Sequence, residues 1–336
     1  VKIVVDAMGG DYAPQAVVAG AIDATKELDL NIVLVGLEDQ VRRELSRYSY
    51  NPDRIEIIHA TEVVDMHDSA ATSIRKKRNS SITVGINLLK DHSYNAFVSA
   101  GNTGAVVAAS MVFLGMLTGV DRPGIGIVIP TLKKFAFMID LGANTGAKPQ
   151  HLLQYALMSM VYMREVLGVQ NPGVGLLNIG EEESKGTDFQ KEAHKLLGER
   201  LPNFIGNIEA NEIFMGKCDC VVCDGYVGNI ALKVTEGLME SAGALIKREV
   251  LKDPLALIGS ILMKWRLEKI KKLADYSEYG GAPLLGVNGI VMISHGRSNP
   301  KAIKNAIRAA KREVEHKILS IMLKETTRQP SNQETK

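Results

Sequence analysis

The chain of 336 residues lacks most of the signals that would tie it to a specialised class. Its only cysteines, Cys218, Cys220 and Cys223, make an odd, clustered set. That is no disulfide framework and fits a reducing, cytoplasmic setting. Nor do they read as a metal site: they sit in an apolar, strand-like run whose alternation sends neighbours to opposite faces, and no second Cys/His cluster supplies further ligands. Aromatic residues make up 5% of the chain, too few for the stacking platforms that hold single-stranded nucleic acid. Lys and Arg number 40 against 38 Asp and Glu, a formal charge of +2, so nothing global points to nucleic acid and only local patches inform on partners. The longest weakly polar stretch, Ala105–Leu117, is too short to span a bilayer and reads as a buried core helix. The opening Val1–Asp6 reads as a first strand rather than a signal peptide. Gly-x-Ser-x-Gly, His-Glu-x-x-His and Gly-x-Gly-x-x-Gly are all absent.

What the chain does have is glycine clusters that follow apolar runs and carry Asp, Asn or Lys beside them. Short β-branched runs recur at Ile3–Val5, Ile32–Val35, Ile55–Ile58, Phe97–Ser99, Ile125–Ile129, Phe135–Ile139, Val174–Ile179, Cys218–Cys223 and Ile290–Ile293. Segments of helical period lie between most of them: Pro14–Leu28, Ser81–Lys90, Thr103–Leu117, Pro149–Val166, Asp188–Leu197 and Ile230–Val250. Apolar strands alternating with helices predict an α/β fold with a mostly parallel sheet covered on both sides. In such a sheet ligands bind at the carboxyl ends of the strands, where these glycines fall. Several such loops on one edge would build a phosphate or oxyanion site, because glycine lets N–H groups approach a ligand and helix N-termini favour anions. Residues 1–325 read as a single catalytic domain with a helical extension at 251–275, and the polar tail 326–336 is expected to be disordered.

The clusters differ in what they offer. In Asp6–Pro14, Gly9 and Gly10 present N–H groups to an anion or make a tight turn with Asp11 as a cap. In Ser99–Gly104, capping accounts for one polar residue but not for Gly101, Asn102, Thr103 and Gly104 together, so this loop is read as functional. In Asn178–Gly186, Lys185 either binds phosphate or polarises a carbonyl with Glu182 orienting it, or the run is simply solvated. His295, between a strand and a helix, is an acid/base, an oxyanion donor or a structural histidine. Arg75, Lys76, Lys77 and Arg78 form a solvated face or a dock for an acidic or anionic partner. The stretch from Leu251 to Asp275 carries Leu255, Ile258, Leu262 and Trp265 with Lys264, Arg266, Lys269, Lys271 and Lys272. That is the signature of an interfacial helix, with packing on the protein or in a dimer as the alternative.

Taken jointly, the clusters resemble the PlsX family of bacterial phosphate acyltransferases. The resemblance rests on Asp6–Pro14, Arg75–Ser81, Ser99–Ala105, Asp121-Arg122-Pro123, Asp140–Asn144, Ala147-Lys148-Pro149, Leu176–Gly180 with Lys185-Gly186, Asp224–Asn229, Tyr276–Ala282 and His295-Gly296. These run in family order from the first strand to about residue 325. Tyr226, where many members have Phe, and the loop after Asn144 depart from the pattern. The resemblance implies transfer of an acyl group from acyl-acyl-carrier-protein to orthophosphate, without metal or cofactor. It also implies a three-layer α/β/α fold related to the isocitrate/isopropylmalate dehydrogenases and phosphotransacetylases, a homodimer, and loose attachment to the inner face of the membrane. The product would pass to a membrane acyltransferase that acylates glycerol 3-phosphate. Under that reading Gly101–Gly104 with Lys185 capture phosphate, and Asn229, His295 or loop N–H groups steady the oxyanion. Asp6, Asp140 and Asp224 orient loops, and Gly9, Gly10, Ser99, Asn144, Asn178, Gly180, Glu182, Gly228 and Gly281 complete the substrate site. The carrier protein is acidic, so Arg75, Lys76, Lys77, Arg78, Lys264, Arg266 and Lys271 are its candidate dock, while Leu255, Ile258, Leu262 and Trp265 would meet the bilayer. A coenzyme A-dependent phosphotransacetylase, a dehydrogenase and a non-catalytic scaffold are the competing readings.

Overall fold

The computed structural model describes residues 1–266 and 280–327. Its strands are β1 (Lys2–Asp6), β2 (Asn31–Gly36), β3 (Ile55–His59), β4 (Ala96–Ser99), β5 (Gly124–Pro130), β6 (Phe135–Ile139), β7 (Val174–Leu177), β8 (Phe204–Ile208), β9 (Cys220–Val222), β10 (Ala282–Leu285) and β11 (Ile290–Ile293). The helices are α1 (Gln15–Glu27), α2 (Glu38–Leu45), α3 (Ala70–Lys76), α4 (Ser81–Leu88), α5 (Thr103–Ala109), α6 (Pro149–Glu165), α7 (Asp188–Arg200), α8 (Ala210–Met215), α9 (Gly225–Lys252), α10 (Pro254–Leu262), α11 (Pro300–Glu315) and α12 (Ile318–Thr327). All the strands join one sheet in the order β3-β2-β1-β4-β11-β10-β5-β6-β9-β7-β8.

The alternation expected of strands covered on both faces is present. Val4 and Val33 pack into one apolar cluster and Ile3, Val5, Ile32 and Leu34 into another, so successive residues serve opposite layers. On one face Val4, Phe97, Met138 and Val221 pack with Ile82, Val106 and Ile213 of α4, α5 and α8, and Ala231 and Leu232 of α9 join them. The other face is divided. Val17, Ile22 and Ile303 of α1 and α11 cover the β1–β4 half. Leu152, Tyr155 and Leu197 of α6 and α7, with Ile318 and Met322 of α12, cover Phe137, Ile139 and Cys220. This is the three-layer α/β/α arrangement expected from the sequence.

The sheet corrects one expectation. The loops do not all fall on one edge. β10 pairs antiparallel with both β11 and β5, and β5 pairs antiparallel with β6. Strands β1 to β4 and β11 therefore run one way, and β6, β9, β7 and β8 the other. The carboxyl ends lie on opposite edges of two half-sheets. The sequence rhythm missed β10 and β8 because their apolar runs are interrupted, by Pro283 and Gly206.

Element ends shift too. The core helix expected over Ala105–Leu117 is α5 followed by a π-helical turn, Ser110–Leu114, ended by Gly115 at φ 76°. The extension is broken at Asp253, which caps α10 by accepting from Leu255 N at 2.8 Å. Helix α12 runs on through Thr327, two residues into the stretch read as a tail, and Thr326 is buried with its hydroxyl donating to Thr118 O at 2.8 Å. Residues 328–336 lie outside the described chain, as do Lys269, Lys271 and Lys272.

One buried acid sets a pH prediction. Glu313 of α11 is 2% exposed and interacts with Tyr162 of α6. Burial pushes its carboxyl up to about 8 from an ordinary 4.5. Between those values the folded chain holds a proton that the unfolded chain has released, so stability from this group is fullest below 4.5 and is lost as pH rises through 8. The unfolding free energy of the native chain should fall by about 1.4 kcal/mol per unit from pH 6 to 7.5 on account of this acid. Urea unfolding of Glu313→Gln should lack that component, and parallel pH profiles of the two proteins would refute the assignment.

Candidate active site

The predicted site residues gather in three groups. At the ends of β1, β4 and β11, Asp6 is fully buried and accepts from Ser99 Oγ at 2.7 Å and Met8 N at 3.1 Å. Burial raises its pKa, opposed by hydrogen bonds from Ser81, Ser99, Met8 and Gly9. Ser99 Oγ in turn accepts from Gly101 N at 3.0 Å. A Cβ on Gly9 would stand 2.5 Å from Asp6 Oδ2 and 2.6 Å from Gly101 N, so glycine there is needed for two loops to touch. Gly10 packs against Gly296 O, and Gly281 lies beneath Ile293 O. Asn102 is committed as well. Its Oδ1 caps α5 at Ala105 N, 2.9 Å, and its Nδ2 donates to the carbonyls of Asp65, Met66 and Asp68. Thr103 and Gly104 remain exposed. Exposed His295 accepts from Arg297 N at its Nδ1, 3.1 Å.

The second group stands at the ends of β6 and β9. Asp140, fully buried, draws in four backbone N–H groups: Ile125, Gly142 and Ala143 on Oδ1 at 2.9, 3.1 and 3.0 Å, and Asn144 on Oδ2 at 2.8 Å. Burial raises its pKa and those donors oppose the rise. Asp224 caps α9 through Tyr226 N and Val227 N. A Cβ on Gly228 would fall 1.9 Å from Asp140 O, so α9 can approach this loop only through glycine. Asn144 O accepts from Gly225 N at 3.1 Å, and its Nδ2 donates to Tyr155 Oη, 3.2 Å. Asn229, half-buried on the first turn of α9, lies beside Gly142, and its side chain makes no hydrogen bond among the described residues.

The third group follows β7, two places along the sheet from β6 and on the same edge. Asn178 donates from Nδ2 to Lys185 O at 3.3 Å, and its Oδ1 accepts from Ile179 N at 2.8 Å. The Lys185 stem passes over Gly180, and its Nζ is 3.8 Å from Glu182 Oε1, both side chains exposed. Lys185 thus keeps company with Asn178 and Glu182 rather than with Gly101–Gly104, which belong to the opposite half-sheet. The halves meet along one apolar seam. Val106 and Ile293 share a cluster with Leu141 and the α9 residues Ala231 and Leu232, and Arg297 Nη1 lies 4.0 Å from Glu240 further along α9.

Among the basic candidates, Lys77 is already engaged: Nζ sits 2.6 Å from Asp68 Oδ2 and 2.7 Å from Val63 O. Arg75, Lys76, Arg78, Lys264 and Arg266 are exposed, and Arg266 lies over the Trp265 ring at 3.8 Å. Leu255, Ile258, Leu262 and Trp265 are 57–78% exposed. No helix among the described residues is long and apolar enough to cross a membrane, and no group of three or more His, Cys, Asp or Glu among them could hold a metal ion.

A cavity of about 610 Å³ is lined by Asp121, Arg122, Asn144, Gly146, Lys148, Gln150 and His151, of which sequence reasoning gave a role to Asn144 alone. Its signal was Asp-Arg-Pro and Ala-Lys-Pro, two motifs 26 residues apart that only the fold joins.

Buried carboxylates that shape polar loops at strand ends, in a three-layer α/β fold, give a scaffold that holds loop N–H groups and helix starts in place. Residues 1–320 match the model of the fatty acid synthesis protein family, and the chain belongs to that family, as its PlsX-like motifs indicated. It is 47% identical over 333 residues to a phosphate acyltransferase of Dictyoglomus turgidum, covering 97% of this chain and 99% of that one. It is 48% identical over 334 residues to one of Desulfitobacterium hafniense, covering 99% and 100%. Among solved structures, a phosphotransacetylase from Streptococcus pyogenes superposes with a TM-score of 0.62 over 93% of this chain and 94% of that one, at 17% identity, a likeness of fold.

Asp140→Ala should strand four backbone donors, each costing about 1–3 kcal/mol when left unpaired. The expected loss is about 3 kcal/mol or more in urea unfolding, with Asp140→Asn losing less. A loss of under about 1 kcal/mol for the alanine variant would show that the carboxylate does not organise this loop.

Proposed function

We infer that this enzyme transfers the acyl group of acyl-acyl-carrier-protein to orthophosphate, releasing acyl phosphate and free carrier protein for phospholipid synthesis. The observation that carries the reading is nearly full-length identity to phosphate acyltransferases. The chemistry asks for no protein nucleophile. A phosphate oxygen attacks the thioester carbonyl, the tetrahedral oxyanion collapses, and the thiolate leaves. The cysteines suit that route, being buried, with thiol pKa values pushed up, that of Cys218 to about 12. The protein's work is then to hold two substrates in contact and to steady the developing charge.

In this reading Asn229, whose amide is unspent, donates to the oxyanion, and Lys185 supplies positive charge to the phosphate on the neighbouring strand end. Thr103 and Gly104, the exposed part of the first glycine loop, and His295 stand on the opposite edge, at the ends of the other half-sheet, and form a separate polar group in this reading. Asp6, Asp140, Asp224, Asn102 and Asn178 serve by fixing loops. Arg75, Lys76, Arg78, Lys264 and Arg266 dock the acidic carrier protein. The exposed apolar residues of α9, among them Val234 and Leu238 at 64 and 66%, form a homodimer contact. Leu255, Ile258, Leu262 and Trp265 rest on the inner membrane surface, where a membrane acyltransferase consumes the product.

Mixing the protein with acyl-acyl-carrier-protein and phosphate and trapping acyl phosphate with hydroxylamine tests the activity; no hydroxamate would end the reading. Asn229→Ala should lower kcat by about 10²–10³ with urea stability unchanged. An unaltered kcat would remove Asn229 from the site. Salt should raise the KM for the carrier protein more than that for phosphate. Trp265 emission should change on adding anionic vesicles, and an unchanged spectrum would reject surface binding.

A further inference from the structure

The cavity beside α6 is lined entirely by polar groups and glycine, and its charges are unbalanced. Its one acid, Asp121, is held at the wall by Gln154: Nε2 donates to Asp121 Oδ2 at 2.9 Å and Oε1 accepts from Asp121 N at 3.0 Å. Arg122 and Lys148 both line the cavity, and neither makes an ion pair among the described residues. Two cations against one acid leave the cavity net positive, and with neither cation spent in an ion pair it is a place for an anion.

His151 adds a directed donor. Its Nδ1 receives the N–H of Lys148 at 3.0 Å and the Nδ2–H of Asn144 at 3.2 Å. Two donors on one ring nitrogen leave it no proton, so the proton is on Nε2. Burial lowers the imidazole pKa, and Arg122 and Lys148 add to the fall against the opposing charge of Asp121. Nε2–H makes no hydrogen bond among the described residues, and the ring lines the cavity. Pro149 opens α6 without an N–H, and Gln150, also on the wall, offers the next one.

We propose that Arg122, Lys148 and the Nε2–H of His151, a ring fixed by Asn144, form a phosphoryl-binding site whose occupant is the phosphate of the acyl donor's pantetheine arm. This rests on the acyl-transfer reading above. An acyl carrier protein presents its thioester at the far end of a pantetheine arm joined to it by a phosphodiester. The volume of about 610 Å³ lies within the roughly 300–1,000 Å³ of sites for organic ligands, more than a lone oxyanion fills. The wall is also continuous with the reacting centre. Asn144 O holds Gly225 N at 3.1 Å, and Gly142, two residues before Asn144, lies against Asn229. An arm anchored by its phosphate at Arg122 and Lys148 can therefore lead its thioester toward Asn229. Orthophosphate carries the same chemistry and is the other source of a phosphoryl group.

The test compares acyl-phosphopantetheine with acyl-pantetheine as donors, and the thermal shift produced by phosphopantetheine with that of pantetheine. The native enzyme should favour the phosphorylated donor in kcat/KM by about 10- to 100-fold, the worth of one charge-assisted contact. Arg122→Gln and Lys148→Gln should each reduce that ratio, and the double variant should bring it close to one. Phosphopantetheine alone should raise the melting temperature of the native protein, and the double variant should lose that rise. If the variants instead raise the KM for orthophosphate and leave the donor ratio intact, the phosphoryl site stands with orthophosphate in it and the arm assignment falls. If ratio, KM for orthophosphate and thermal shift are all unchanged, the site is refuted. Failure of the acyl-transfer reading looks different: no donor yields acyl phosphate, while the thermal shift still reports the site.

Discussion

A carboxylate sealed at the end of a strand is the constraint on which the rest of this molecule depends. Asp140 has no contact with water, and an ion in that position is tolerable only if donors replace its hydration. Four N–H groups from β5 and from the loop after β6 do so. The loop is thereby wrapped round its own first residue, and α9 must begin within touching distance of it. Gly228 follows from that closeness, since any side chain would occupy the space of the Asp140 carbonyl. Asp6 does the same in the other half-sheet with Ser99, Met8 and Gly9. Gly9, Gly101, Gly225 and Gly228 are clearance around two buried acids.

That changes what the polar clusters mean. A group already hydrogen-bonded within the protein has less to give a substrate, because its donors and lone pairs are counted. Asn102 uses its Nδ2 on three carbonyls and its Oδ1 on a helix start. Asn178 closes the loop that carries Lys185. The unspent capacity lies with Asn229, Lys185, Thr103, Gly104 and the set around Arg122, Lys148 and His151. Fixing loops with one set of polar side chains and leaving another set unsatisfied is the arrangement preorganisation requires. The first set keeps the second from relaxing onto the protein.

The layered fold was legible because its strands are apolar on both faces and its helices are periodic, as Ile3–Val5 and Pro149–Val166 show. The reversal in the middle of the sheet was not. It depends on β10, four residues including a proline, and on the β5–β6 hairpin, whose strands look like any other buried run. Periodicity reports burial and is silent on direction. The candidate site was legible as a set of loops, and the loop-orienting roles of Asp6 and Asp140 followed from charge. That Lys185 and Gly101–Gly104 belong to different half-sheets depended on the reversal and was hidden with it. Arg122 and Lys148 were invisible as a pair because no local pattern links them. His151 was invisible because its role depends on the tautomer that Lys148 N and Asn144 Nδ2 impose.

The order of strands at one edge bears on how two negatively charged substrates can share a site. Orthophosphate and the phosphodiester of a pantetheine arm repel each other, at about 1 kcal/mol per pair of unit charges 4 Å apart even in bulk water and more where water is excluded. A single pool of positive charge would draw both to the same point. Along the edge the sequence is β6, β9, β7. Arg122 and Lys148 belong to the β6 end, through Asn144 and the start of α6; Lys185 belongs to the β7 end; Asn229 lies near the start of α9, the helix after the strand between them. With neighbouring strands about 4.8 Å apart, β6 and β7 are separated by roughly 10 Å of sheet. The cations are thus divided by a strand that carries a neutral donor. Two anions held apart while an attacking oxygen meets a carbonyl between them is what a transfer from one phosphate-bearing substrate to another demands. The division follows from the sheet order itself and needs no motion of the loops.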